Sequence, residues 1–209
     1  MIELSTLSGF IVASSLLILI PGPNVALIAL QSALYGRRSG LMVVIGITSG
    51  QAVQILLVLV GLSTLLSVWS VAFTVLKVMG TLYLFWLAVE AFIRASKAVG
   101  FNEAATINPV RNVFWRGVMV ALANPKTMLF HAAFLPQFVS VQYSVFPQLI
   151  LLGSIFLGLA FFLDSVWAIA IGSLRQFMAN SRVQSCLKWG TGFVYLIMGA
   201  LLFSRRASN

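Results

Sequence analysis

Apolar residues run through this chain in long blocks separated by short polar breaks. The blocks occupy about residues 4–34, 41–66, 71–93, 114–138, 145–173 and 185–204. Each is long enough to cross a bilayer as a helix, which takes about 20 residues. The pattern predicts an all-α membrane protein with six transmembrane helices. Two of the six are interrupted: Pro21-Gly22-Pro23-Asn24 breaks the first, and Asn124-Pro125-Lys126 breaks the fourth. Proline lacks the backbone donor, and its ring crowds the preceding turn, so a helix cannot run smoothly through either motif. Lipid cannot satisfy the backbone groups such a break exposes; protein or a water-filled cavity must do so. Broken helices at corresponding positions of two halves point to a transporter binding site.

The only long polar stretch, about residues 94–113, divides the chain into halves near 1–95 and 108–205. Each half has three spans, an odd number, so structurally related halves must be inverted with respect to one another. The whole chain, 1–209, reads as one transmembrane domain. Small residues Gly46 and Gly50 mark a face of the second span suited to close packing, read as an intramolecular contact. Trp69, Trp86, Trp115, Trp167 and Trp189 lie toward span ends and read as interfacial anchors.

Composition agrees with the membrane assignment and removes several functions. Of 209 residues, 60% are hydrophobic and only 8% charged, and the mean hydropathy is +1.04. The net charge of +9 needs no nucleic acid to explain it. Arg37, Arg38, Arg94, Lys97, Arg111, Arg116, Arg175, Arg182 and Lys188 gather at the first, third and fifth loops. The positive-inside rule places those loops in the cytoplasm and both termini on the other side. Arg205 and Arg206 oppose that orientation at the C-terminus. Glu3 and the lack of a basic residue before the first apolar block argue against a cleavable signal. One cysteine, Cys186, and one histidine, His131, exclude an internal disulfide and a multi-histidine metal site. No cofactor is expected.

Candidate chemistry follows from depth. Pro125 lies nine residues past Arg116, roughly 14 Å along a helix and so near the bilayer midplane. Pro21–Asn24 reaches a similar level counting back from Arg37. The segments beginning near Pro23 and at Pro125 should present their N-termini to one central level, with Asn124 as N-cap. Helix N-termini carry partial positive charge and free N–H groups, which suit a carboxylate. With Lys126 adjacent, the expected ligand is an anion or carries one. Asp164, eleven residues before Arg175 among Phe161, Phe162, Leu163 and Val166, is the one deep carboxylate. It can hold a substrate ammonium, exchange a proton, or pair with Lys126. Glu90 is expected to pair with Arg94 one turn on. Gln51, Gln54 and Thr48 can line a cavity or bond between helices, and His131 reads as a packing residue.

These motifs, together with Gly36-Arg37-Arg38-Ser39-Gly40, Gly80, Tyr83, Phe130 and Pro136-Gln137-Phe138, resemble the LysE/RhtB family of bacterial amino-acid exporters of the homoserine/threonine efflux type. The order and spacing match throughout the chain. The resemblance implies efflux of amino acids or related metabolites across the inner membrane, driven by protons, six hydrophobic segments, and dimers. His131 and Glu90 depart from the family pattern and bear on substrate choice. The expectation is a secondary transporter exporting a small neutral amino acid by proton antiport. Its substrate-binding residues would be Pro21, Gly22, Pro23, Asn24, Gln51, Asn124, Pro125 and Lys126, and Asp164 would serve the ammonium or the proton. The alternatives are export of a cation such as a metal ion and, more remotely, a membrane-embedded enzyme.

Overall fold

The structure is a computed structural model. It describes residues 2–63, 110–140, 142–174 and 181–204, with positions 78, 82, 85, 86, 88, 89, 92 and 93 between them. The described residues form helices and no strand. They are α1 (Leu4–Leu19), α2 (Pro23–Tyr35), α3 (Arg37–Ser63), α4 (Val110–Ala123), α5 (Pro125–Leu129), α6 (Val145–Ser173) and α7 (Ser181–Ser204). A π-turn (Phe130–Phe134) and a 3-10 turn (Leu135–Phe138) extend α5. Two helices are long and apolar enough to cross a membrane, and α1 with α2 and α4 with α5 each qualify as a bent pair. The third apolar block falls largely outside the described residues, as do Trp69, Glu90, Arg94 and the polar stretch up to residue 109.

Both breaks follow from the proline rules. Ile20, Gly22 and Asn124 each precede a proline, and each is extended: ψ is 121° at Ile20, −167° at Gly22 and 107° at Asn124. Proline disfavours the helical region for the residue before it. Pro23 and Pro125 then occupy the first turn of the next helix, where the missing N–H costs nothing. The axis turns by 54° between α1 and α2 and by 51° across the second break. Gly36, with φ of 87°, lets α2 turn directly into α3.

Helices α3 and α4 lie in backbone contact. A Cβ on Gly46 would collide with the Phe114 carbonyl, one on Gly50 would come within 2.7 Å of the Val118 carbonyl, and one on Gly117 within 2.6 Å of that of Val43. Gly46 and Gly50 therefore serve packing within the chain, as expected. Trp86, Trp115 and Trp189 are exposed, whereas Trp167 packs against the core.

Buried apolar side chains form two clusters. One gathers Leu27 and Ile28 of α2, Val43, Val44 and Ile47 of α3, Val120 to Ala123 of α4, Ala168 of α6 and Tyr195 of α7. The other gathers Phe10 and Ile18 of α1, Ile55 and Leu59 of α3, Phe130 and Leu135 beyond α5, and Leu149 to Ala160 of α6. Along α1–α2, α3, α4–α5 and α6 the two clusters are separated by a short interval: residues 19–26, 48–54, 124–129 and 161–167. Asn24, Gln51, Lys126 and Asp164 lie in those intervals.

Candidate functional site

A small cavity sits where the four intervals meet. It is lined by Leu17, Ile18, Asn24, Val25, Gln51, Lys126, Thr127 and Asp164. The space open to the centre of a water-sized sphere is about 10 Å³, room for about one water. An amino acid does not fit until the walls part.

Lys126 is the hub. Its Nζ donates to the Leu17 carbonyl at 2.8 Å and to the Ile20 carbonyl at 2.6 Å. These oxygens belong to the C-terminal end of α1, where the last carbonyls of a helix have no intrahelical partner. A cation there also meets the negative end of the helix dipole. Lys126 thus caps, from the second half of the chain, the break in the first. An ammonium has three N–H groups, so one remains beyond these two bonds. Gly22 lies against the same side chain: a Cβ there would be 3.4 Å from Nζ.

The second break is capped in the opposite sense. Gln54 Nε2 donates to the Ala121 carbonyl at 2.8 Å, near the end of α4, from the first half of the chain. Gln54 Oε1 accepts from His131 Nδ1 at 3.2 Å, and the His131 ring meets Phe156 edge-on, centroids 4.5 Å apart. His131 is fully buried on the π-turn.

The two N-termini are not equivalent. At α5 the Asn124 side chain accepts from the Lys126 backbone N–H at 3.0 Å, so part of the donor set is consumed by the cap. At α2 the N-cap is Gly22, and no side chain caps the helix. Pro23 has no N–H, so the next free donors are those of Asn24 and Val25, the two α2 residues that line the cavity.

Asp164, 2% exposed on α6, completes the charge pattern. It borders the same cavity as Lys126, whose ammonium bonds the α1 carbonyls. Two buried acceptors in the lining, Asn24 Oδ1 and Gln51 Oε1, have no hydrogen-bond partner within the protein. Unpaired buried polar atoms are costly.

Of the nine residues singled out from sequence, Asn24, Gln51, Lys126 and Asp164 line the cavity, and Gly22 abuts Lys126. Pro23, Asn124 and Pro125 are buried and shape the breaks, while Pro21 is exposed. Leu17, Ile18, Val25 and Thr127 were not anticipated as lining residues. Thr48 does not line the cavity, and its buried hydroxyl lacks a partner.

Comparison with known proteins bears on the same region. Residues 15–206 match the family model described as LysE type translocator. The homoserine/homoserine lactone efflux protein of Salmonella typhi is 30% identical over 198 residues, covering 95% of this chain and 96% of that protein. The leucine efflux protein of Klebsiella pneumoniae is 29% identical over 133 residues, 64% of this chain and 63% of that protein. No solved structure matches.

Proposed function

Because the chain belongs to the LysE type translocator family, an amino-acid efflux family, it is a membrane transporter and not an enzyme, and we propose that it exports a small neutral amino acid. The observation that carries this reading is that one ammonium, Lys126, and one deep carboxylate, Asp164, border a single cavity. A zwitterion is the complement of that pair. Its carboxylate meets the remaining Lys126 N–H and the uncapped N-terminus of α2. Its ammonium meets Asp164, Asn24 Oδ1 and Gln51 Oε1. The apolar walls at Leu17, Ile18 and Val25 suit a short aliphatic or hydroxyalkyl side chain, in keeping with relatives named for homoserine and leucine.

Coupling to protons would run through Asp164. A carboxyl that holds a proton on one face and exchanges it for the substrate ammonium on the other links the two fluxes without a further ion. The proposed frame is two inverted three-helix halves, 1–95 and 108–205, in the bacterial inner membrane. The first, third and fifth loops face the cytoplasm and both termini the periplasm.

The test is efflux from cells loaded with dipeptides over a panel of amino acids, with and without a protonophore. Overexpression should accelerate release of one or a few small neutral amino acids, and the protonophore should abolish the acceleration. Unchanged release across the panel would overturn the reading.

A further inference from the structure

The apolar cluster that holds Phe10, near the start of α1, is built on one stripe of rings. Phe130, Phe134 and Phe138 stand at four-residue spacing along the segment that follows α5, with centroids 5.0 Å apart at each step. The stripe lies on Phe10, whose centroid is 6.1 Å from that of Phe130 and 5.2 Å from that of Phe138. It also meets Phe156 of α6, 5.3 Å from Phe130. The backbone beneath it is not α-helical. The Leu135 N–H bonds back five residues to the Phe130 carbonyl, and the Val139 N–H bonds back three, to that of Pro136. Pro136 is the cause, because it has no N–H to offer the Ala132 carbonyl and its ring would crowd that carbonyl in an α-helix. The chain is wound loosely before the proline and tightly after it, and such interruptions mark hinges.

Polar groups pin this segment at both ends. At its start His131 bonds Gln54 of α3 at 3.2 Å. Just past its end stands Gln148 of α6, which is buried. Its Oε1 accepts from the Ser140 N–H at 2.9 Å, and its Nε2 donates to the carbonyls of Ser140, Tyr143 and Ser144 at 2.9, 3.3 and 3.1 Å. Between the pins the stripe meets α1 and α6 through ring edges and faces, each atom contact of which is weak and readily re-formed. The other cluster is different: there α3 and α4 touch backbone to backbone at Gly46, Gly50 and Gly117, so it parts only by moving whole helices. We propose that residues 130–138 form the gate between the cavity and the side of the membrane on which α1 begins. The segment is a strap held at His131 and at Gln148, and its three stacked rings swing as one unit off Phe10 and Phe156. The carrier then opens by a strap on one side and by helix separation on the other.

The inference rests on the transport reading only in taking the cavity as a path, and its test involves no amino acid, so the two can fail separately. A cysteine is placed in the cavity wall as Val25→Cys in a Cys186→Ser background, and a membrane-impermeant thiol reagent is applied to right-side-out and to inverted vesicles. An N-terminal tag identifies the face on which α1 begins. Phe138→Ala removes the ring contacts to Phe10 and Phe134 and should raise labelling from that face by about fivefold or more, the ratio that losing two such contacts supports. Labelling from the opposite face should stay within about twofold. Gln148→Leu, which frees the far end of the strap, should act on the same face. Phe193→Ala, which removes a ring of α7 that packs on Trp189, should leave both rates unchanged. A loosened fold raises labelling from both faces, so a two-sided rise overturns the proposal, as do a rise from the opposite face alone and no rise at all. Should Phe138→Ala not reach the membrane, Gln148→Leu decides by the same criterion.

Discussion

A carboxylate in an apolar span is retained only where something uses its charge, because the bilayer interior penalises it by several kcal/mol. Asp164 is nearly inaccessible to solvent and borders a cavity whose other polar side chains are Lys126, Asn24, Gln51 and Thr127. Asp164→Asn keeps the shape and removes the charge. A charge-assisted hydrogen bond is worth about 1.5–3 kcal/mol, so substrate efflux should fall about 10- to 100-fold. Dipeptide-loaded cells assayed across pH supply the measurement, and wild-type rate with wild-type pH dependence would assign Asp164 to structure alone. At this scale the sequence was most legible where cost is high. Lys126, Asp164, Asn24 and Gln51 stood out because polar groups in an apolar block need a reason. Leu17, Ile18 and Val25 did not, since an apolar side chain lining a cavity has the same sequence signature as one facing lipid. Gln51 and Gln54 illustrate the remaining gap. They lie on neighbouring faces of α3, and only packing reveals that the first borders the cavity while the second caps α4 and holds His131.

The elements are organised by how their broken ends are satisfied. The end of α1 is capped by Lys126, 109 residues away, and the end of α4 by Gln54, 67 residues away in the other direction. The prolines announced both breaks, but nothing local announced their distant caps. Gln54→Leu leaves His131 Nδ1 without an acceptor, costing about 1–3 kcal/mol, while the Ala121 carbonyl keeps its bond from the Asn124 backbone N–H. His131→Phe removes that orphan at the outset. The double variant Gln54→Leu/His131→Phe should therefore be less destabilised than the sum of the two singles by about 1 kcal/mol or more. Thermal unfolding in detergent measures the cycle, and strict additivity would show that the two side chains do not act together. The α3–α4 seam gives a second element-scale expectation. Gly117→Ala sets a methyl 2.6 Å from the Val43 carbonyl and 3.0 Å from the Ile47 nitrogen, both backbone atoms. The helices must separate, at about 1–3 kcal/mol. Gly158→Ala in α6 meets nothing within 4 Å and should be neutral or gain about 0.5–1 kcal/mol from helix propensity. Equal midpoints for the two variants would mean that the seam yields without cost.

At the scale of the molecule, the site is a polar layer between two apolar plugs. On α3 the order is Val43–Ile47, then Gln51, then Ile55–Leu59; on α6 it is Leu149–Ala160, then Asp164, then Ala168. On the broken spans the layer coincides with the breaks: Ile18, then Asn24, then Leu27, and Ala123, then Lys126, then Phe130. With room for about one water, the cavity does not hold an amino acid in this conformation. Transport then requires the clusters to open in turn, one around Leu27, Val43 and Ala168, the other around Phe10, Phe130 and Phe156. Within each cluster the helices move apart as packed units, because interdigitated cores switch between discrete arrangements more readily than they deform. Val25→Cys tests this in a Cys186→Ser background, which removes the chain's single thiol. Val25 is 6% exposed and borders the cavity, and cysteine is close to it in size. A membrane-impermeant thiol reagent should label that cysteine slowly from either face, in right-side-out and in inverted vesicles. A transported amino acid on one side should change the rate from that side by about threefold or more, which corresponds to a population shift of under 1 kcal/mol. Labelling from one face only, whatever the substrate, would mean that one plug never opens and that the polar layer is a dead-end binding pocket.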